Sequence, residues 1–503
     1  MTRAARLLAP LSAACGATSL LLVVLFVVRS GAAVGTNVFL TQGAPVEANV
    51  IDADNSPSVA RNPRHDQEVV ATWRVDRPQF SSALAWSGDG GATWHRRSLP
   101  LPPGNDRPFA PDVAFGPDGT LYVLYSNLEG TGNDPANLWL ATSVDGGRTL
   151  DGPGRIAGQL AFQARIAVGA PGEVYVTWLQ AAAVGALELP GSPNPVVAAH
   201  STDGGRTFSD PVPVSDSGRP LVGAASPVVD TSGRLLVLYE DFKGDRRDFL
   251  NLEGPPWEQP FGMVLTRSDD GGRSFSAGTE LESDVLASHR FLVFLPEFPS
   301  LASGPGHTVY VSWADSRNGD QDVFLRRSDD DGRTWAPAVR VNDNPEGDGT
   351  SQDLPRVAVA PGGRVDVLYL DRRRDRTHNR LAQATLASST DGGRSFSSRR
   401  ASSQLFDSQV GSSADPKFPV DFGSRLALLS GDGQSLAVWT DTRLGSNLTG
   451  RQDIVAAIVR RPSTSRALAI AIVLAGAGAV GALVSLRTRY SGPGSRRLIV
   501  GDP

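Results

Sequence analysis

An eight-residue signature, Ser-x-Asp-Gly-Gly-x-Thr/Ser-aromatic, recurs six times along the chain, starting at Ser87, Ser143, Ser201, Ser268, Ser328 and Ser389. The fifth copy carries Asp331 in place of its first glycine, and the second ends in Leu150 rather than an aromatic residue. Each copy follows a short apolar run, such as Leu138 to Ala141 or Val323 to Leu325. That placement reads as a hairpin turn. The aspartate can accept hydrogen bonds from the turn's own backbone, the glycines supply positive φ without a Cβ clash, and the terminal aromatic tucks beneath the hairpin. A spacing of roughly sixty residues holds four short strands and their connections, so the repeating unit is a small antiparallel sheet.

A second periodicity counts those sheets. Strand pairs joined by Gly/Pro/Asp turns precede the signatures, as in Val113 to Gly119 followed by Leu121 to Tyr125, or Ile166 to Gly172 followed by Val174 to Trp178. Equivalent pairs recur around Val59, Val229, Leu301, Val357 and Leu426, which makes seven pairs for six signatures. The seventh unit, Ser424 to Arg461, ends in the strand-like run Asp453 to Val459 with no signature behind it, while Asn37 to Val50 holds a spare strand ahead of the first unit. The expectation is an all-β propeller of four-stranded antiparallel blades, seven in number, the last taking its outer strand from the N-terminus. Six blades is the alternative.

Composition narrows the functional classes. Glycine and proline number 54 and 36, and hydrophobic residues make up 40% of the chain, so it can bury a core and is neither disordered nor collagen-like. A formal charge of -5 offers no basic footprint for nucleic acid. The only cysteine, Cys15, lies in an apolar leader, which excludes an intrachain disulfide. Lysine occurs only at Lys243 and Lys417 beside many arginines, the coding bias of a GC-rich bacterium. The histidines are scattered, without the spacing of a zinc site. Calcium would be sought in the oxygen-rich turns Asp329 to Gly332 and Asn342 to Gly349, but neither has the spacing of a calcium loop, and no cofactor is expected. Asn447-Leu448-Thr449 is a glycosylation sequon.

Both ends carry membrane signals. Residues 1–35 read as a signal peptide or signal anchor: Arg3 and Arg6 precede an apolar stretch from Leu7 to Val28, followed by small residues. Ala467 to Leu486 has no charge, a length that spans a bilayer, and Arg487, Arg489, Arg496 and Arg497 follow it. The expected organisation is a propeller over 36–461, a transmembrane helix over 467–486 and a cytoplasmic tail over 487–503. The propeller would then stand outside the cell, on a membrane crossed once or twice.

The octapeptide resembles the Asp-box, or BNR repeat, of the sialidase-like β-propellers, and the resemblance extends over about residues 36–461. It implies that the signatures lie on the outer hairpins between each blade's third and fourth strands, on the face away from any ligand. Function is then expected on the opposite face. There the pattern aromatic-x-Asp-x-Arg closes strand two in Trp313 to Arg317, Tyr369 to Arg373 and Trp439 to Arg443, and more loosely in Trp73 to Arg77 and Tyr239 to Lys243. A motif that recurs with the fold most simply forms ion pairs.

More informative is the column just before the first inner-strand aliphatic: Ser58, Asp112, Arg165, Val228, Ser300, Arg356 and Arg425. Three blades place arginine there, and guanidiniums at the rim of a central funnel suit a carboxylate. The resemblance implies the same role, since sialidases hold their substrate's carboxylate with three arginines. Arg165, Arg356 and Arg425 are therefore the candidate ligand-binding residues. Their alternative role is pairing with Asp112 or with loop carboxylates.

A sialidase-type mechanism would also need a tyrosine nucleophile, a glutamate and an acid. Tyr239, Glu240, Tyr369 and Asp112 are where these would be sought. Every blade, however, carries an aromatic in the strand-two column, so no tyrosine is singled out. Three functions stay open. The first is a membrane-anchored surface module binding a glycan or a surface protein, the second an exo-glycosidase of sialidase type, and the third an assembly or scaffold factor.

Overall fold

A computed structural model describes residues 36–461, apart from 42–52, 77–78, 102–106, 131–133, 159, 182–193, 244–259, 287–297 and 412–421. The proposed leader and the 467–486 segment lie outside the described residues. Among those described, no helix is long and apolar enough to cross a membrane.

Seven antiparallel sheets follow one another along the chain, each ordered from its inner to its outer strand. Blade one runs Asp54–Arg61, Val69–Val75, Ser81–Ser87 and His95–Arg97. Blades two to six repeat the plan from inner strands Pro108–Phe115, Ala161–Val168, Val222–Val229, Ser300–Ser303 and Gln352–Val359. Blade seven has Ala427–Ser430, Gln434–Asp441 and Asp453–Arg460, and its fourth strand is the N-terminal Val38–Phe39, which pairs with Val455 and Ala456. The spare strand expected from the sequence thus completes the last blade. Blade six departs from the plan by adding a short fifth strand, Phe406–Asp407, on Leu381–Ser389.

The apolar core explains why both faces of the strands are hydrophobic. It divides into seven clusters, and each joins two neighbouring blades. In blade four, Leu235, Val237 and Tyr239 pack toward blade three, while the alternate residues Leu236 and Leu238 pack toward blade five. One cluster unites Ala71 and Trp73 of blade one with Val438 and Ile454 of blade seven, which closes the ring. Closure removes the open blade faces that a linear array would expose.

The six acidic turns share one geometry. In the third, Ser201 Oγ donates to Asp203 Oδ1 (2.7 Å) and accepts the Gly205 N–H (2.9 Å), while Asp203 accepts the N–H groups of Arg206 (2.9 Å) and Thr207 (3.0 Å). Gly204 and Gly205 both stand near φ +80°. The last residue of each turn packs into the cluster shared with the preceding blade: Trp94, Leu150, Phe208, Phe275, Trp335 and Phe396. Backbone bonds such as Gly90 N to Gln67 O and Gly204 N to Gly172 O put these turns on the same face as the hairpins between strands one and two. Both ends of the ring lie there too. Asp453–Arg460 runs toward that face as the third strand of its blade, and Val38–Phe39, antiparallel to it, starts from the same side.

Candidate functional site

Inner strands begin on the opposite face and run along the axis. In blades one, two, three, four and six the strand pairing slips by one residue, at Asn55/Ser58, Phe109/Asp112, Phe162/Arg165, Gly223/Ser226 and Asp353/Arg356. Within each bulge one residue has a left-handed backbone: Ser56, Ala110, Gln163, Ala224 and Leu354. A bulge bends its strand and re-aims the neighbouring side chains, and here it recurs around the axis.

Register corrects two members of the column read from the sequence. The column residue pairs with the residue before the strand-two aromatic, as Ser58 does with Thr72 and Arg165 with Thr177. In blade four that residue is Ser226, opposite Leu238, and not Val228. In blade seven it is Ala427, opposite Val438, and not Arg425. The ring is therefore Ser58, Asp112, Arg165, Ser226, Ser300, Arg356 and Ala427. Arg425 stands two residues earlier, level with the bulge residues.

From that level Arg425 reaches across blades. Its Nε donates to Pro57 O of blade one (3.2 Å) and its Nη2 to Pro111 O of blade two (2.7 Å). Arg165 is buried and, among the described residues, donates only to the neighbouring Ala164 O (3.2 Å). Arg356 is half-buried. Among the described residues none of the three is ion-paired to a carboxylate. Asp112 is the nearby acid, but neutral donors occupy it: Ser58 Oγ (2.5 Å), Val113 N–H (3.1 Å) and Ile166 N–H (3.2 Å).

The three guanidiniums stand within electrostatic reach of one another and of Asp112. Burial pushes Arg165 down to about 10, Asp112 opposing and Arg356 adding to the effect. Arg425 is lowered well below the usual arginine value by burial first, then by Arg165, with Arg356 and Arg74 contributing and Asp112 opposing. Arg356 is also lowered by burial. Arginine stays protonated at neutral pH, so residues of blades three, six and seven hold concentrated, incompletely offset positive charge. Such an arrangement is suited to an anion.

Sequence reasoning missed Phe298. It is buried, and the Arg165 guanidinium lies over its ring, 3.8 Å from the centroid. Its place was readable in one respect: Phe298-Pro299-Ser300 aligns with Leu354-Pro355-Arg356 and Ala110-Pro111-Asp112, which puts Phe298 at the level of Arg425.

The two candidate tyrosines pack between blades. Tyr239 packs in the cluster between blades three and four, where burial, and then Asp216, pushes its phenol up to about 12. Tyr369 packs between blades five and six, its hydroxyl beside Ser398 Oγ (3.2 Å) and accepting from Arg373 (3.2 Å), and burial raises it as well. Glu240 is buried opposite Gly223 and Met263. The aromatic-x-Asp-x-Arg motifs form their own ion pairs, with Asp315 bound by Arg317, Asp371 by Arg373 (2.6 Å) and Asp441 by Arg443 (2.6 Å). In the oxygen-rich turns, Asn342 donates to Asp322 and Asn344, Asp348 accepts from Thr350, and Asp331 is bound by Arg234, His307 and Arg333.

No family model matches the chain, and no curated protein matches it in sequence. Similar solved structures include a protein of unknown function from Dyadobacter fermentans, 14% identical, which covers 85% of this chain and 98% of its own with a TM-score of 0.47. A Hadza microbial sialidase is 15% identical over 79% of this chain and 75% of its own, with a TM-score of 0.45. The GH93 α-L-arabinofuranosidase of Fusarium graminearum, solved with arabinobiose, is 14% identical over 85% and 98%, also with a TM-score of 0.45.

Proposed function

We propose that this chain is a membrane-anchored, extracytoplasmic propeller of the Asp-box, sialidase-like kind that binds the acid group of a glycan or surface protein in its axial funnel. One observation supports the reading: Arg165, Arg356 and Arg425, from three blades, stand within electrostatic reach of one another, and among the described residues none is ion-paired to a carboxylate. Burying three such charges beside the single carboxylate of Asp112 is unfavourable unless a ligand offsets the remainder. Binding is preferred over sialidase-type turnover because both candidate tyrosines are packed between blades rather than grouped with the arginines.

Membrane attachment is assigned to 467–486, with the leader as signal or second anchor. The test uses the full chain. It should stay with the membrane pellet after alkaline carbonate washing. In mild detergent it should then bind N-acetylneuraminate or glucuronate but not galactose, without cleaving a fluorogenic sialoside. Arg356→Met should weaken acid-sugar binding at least about tenfold, the loss of one charge-assisted pair, and leave the unliganded melting temperature unchanged or higher. Equal affinity in wild type and R356M would overturn the anion reading. Sialoside turnover would replace binding with catalysis.

A further inference from the structure

Three consecutive residues of blade five are stitched to four other blades. The Phe298 ring lies under Arg165 of blade three, and its N–H donates to Ser424 O of blade seven (3.2 Å). Pro299 O accepts from Ser226 Oγ of blade four (2.9 Å), and Ser300 Oγ accepts the Val357 N–H of blade six (3.0 Å). Blades four and six are the neighbours of blade five, but three and seven are not. A residue of blade five that touches both must project past its neighbours toward the axis, where Arg165 and Arg425 also lie.

The chemistry of that contact is specific. Arg165 has no ion pair among the described residues and donates one hydrogen bond, to the carbonyl beside it. What faces the guanidinium is an aromatic ring, whose negative π face attracts a cation while leaving the donors at its edge unspent. A carboxylate in that position would neutralise the arginine and compete with any ligand. An aliphatic side chain would fill the space but leave the charge unsupported.

From this geometry we infer that Phe298 is the positioning residue of the axial anion site, supporting Arg165 on its ring so that the guanidinium edge stays available to the ligand's acid group. The inference rests on the anion reading above, and its test separates the two. N-acetylneuraminate and glucuronate are titrated into the full chain in mild detergent, as wild type, Phe298→Leu and Phe298→Tyr. The Arg165 side-chain Nε–H resonance is followed alongside, assigned by its loss in Arg165→Lys.

Phe298→Leu should weaken affinity at least about tenfold, whereas Phe298→Tyr should stay within about threefold of wild type. The Arg165 resonance should carry a ring-current shift in wild type and in Phe298→Tyr but not in Phe298→Leu. If Phe298→Leu does not fold, Phe298→Met takes its place in the same contrast. Undiminished affinity in the aliphatic variants, equal loss in the tyrosine variant, or no ring-current shift in wild type would each sink the role of Phe298 while leaving the anion site standing. A wild type that takes up neither acid sugar overturns the anion reading itself, and with it the role in binding; a shifted Arg165 signal would then mark the contact as structural.

Discussion

At the scale of single residues, the aspartates of the acidic turns link stability to acid. Asp145 is held down to about 2, and Asp330 likewise; partial burial opposes the shift, and hydrogen bonds from Thr149 and Ser143, or from Thr334 and Ser328, outweigh it. In Asp203, Asp270 and Asp391 the hydrogen bonds dominate and hold the carboxyl well below the usual range. Each group binds its proton less readily folded than unfolded, so the stabilisation is fully present above the unfolded value of about 4 and fades as pH falls through about 2. The melting temperature followed by circular dichroism should be flat from pH 7 to about 5 and then drop steeply, and replacing Asp145 and Asp330 with Asn should make that drop shallower. A profile unchanged by the replacements would refute the linkage. Much of this chemistry was legible in the octapeptide, because the groups that donate to each turn's aspartate lie within its own eight positions. Phe298 was not, since its partners Arg165 and Ser424 come from distant blades and only the closed ring brings them together.

At the scale of elements, each acidic turn acts as a bolt between blades, because its last residue enters the cluster shared with the blade before it. The glycines make that approach possible. A Cβ built on Gly205 would meet Leu140 Cδ2 at 2.4 Å, and the backbone there has φ +78°. Gly205→Ala should therefore cost about 2–4 kcal/mol through overpacking and backbone strain together. Gly306→Ala, at φ +69° with nothing within 4 Å, should cost only the strain, about 1 kcal/mol. Urea melts of the two variants make the comparison, and equal losses would show that packing contributes nothing. Blade seven carries no such turn, and the junction between blades six and seven instead takes in Phe406, from the added strand Phe406–Asp407, and Phe422, their rings stacked 5.9 Å apart. That substitute could not be read in advance, because it is made by a single unrepeated segment. The bulges were hidden for a related reason. An inserted residue shifts strand register without altering the apolar pattern. The two misplaced column members have a different cause: Pro227 stands where the first inner-strand aliphatic was sought, so Val228 was aligned in place of Ser226, and the extra aliphatic Leu426 drew Arg425 into the place of Ala427.

At the scale of the whole molecule, the blade count and the means of closure were both visible in the mismatch between seven strand pairs and six signatures. The closing strand is short but well secured. Leu40 is buried in the cluster between blades seven and one, and Thr41 Oγ1 donates to Asp453 Oδ1 (2.7 Å) across 412 positions of sequence. Leu40→Ala should cost about 2–4 kcal/mol and lower the main calorimetric transition as a single step, since one ring shares all seven interfaces. A separate early transition, with the rest unmoved, would mean that blade seven melts independently. The two chain ends of the propeller share one pole, the side of the acidic turns, while Arg165, Arg356 and Arg425 stand toward the other, where the inner strands begin. Whatever grips the propeller by either of its ends, be it a sensor surface, a bead or a fused partner, therefore holds it from the side away from the arginines, like a tool taken by its handle.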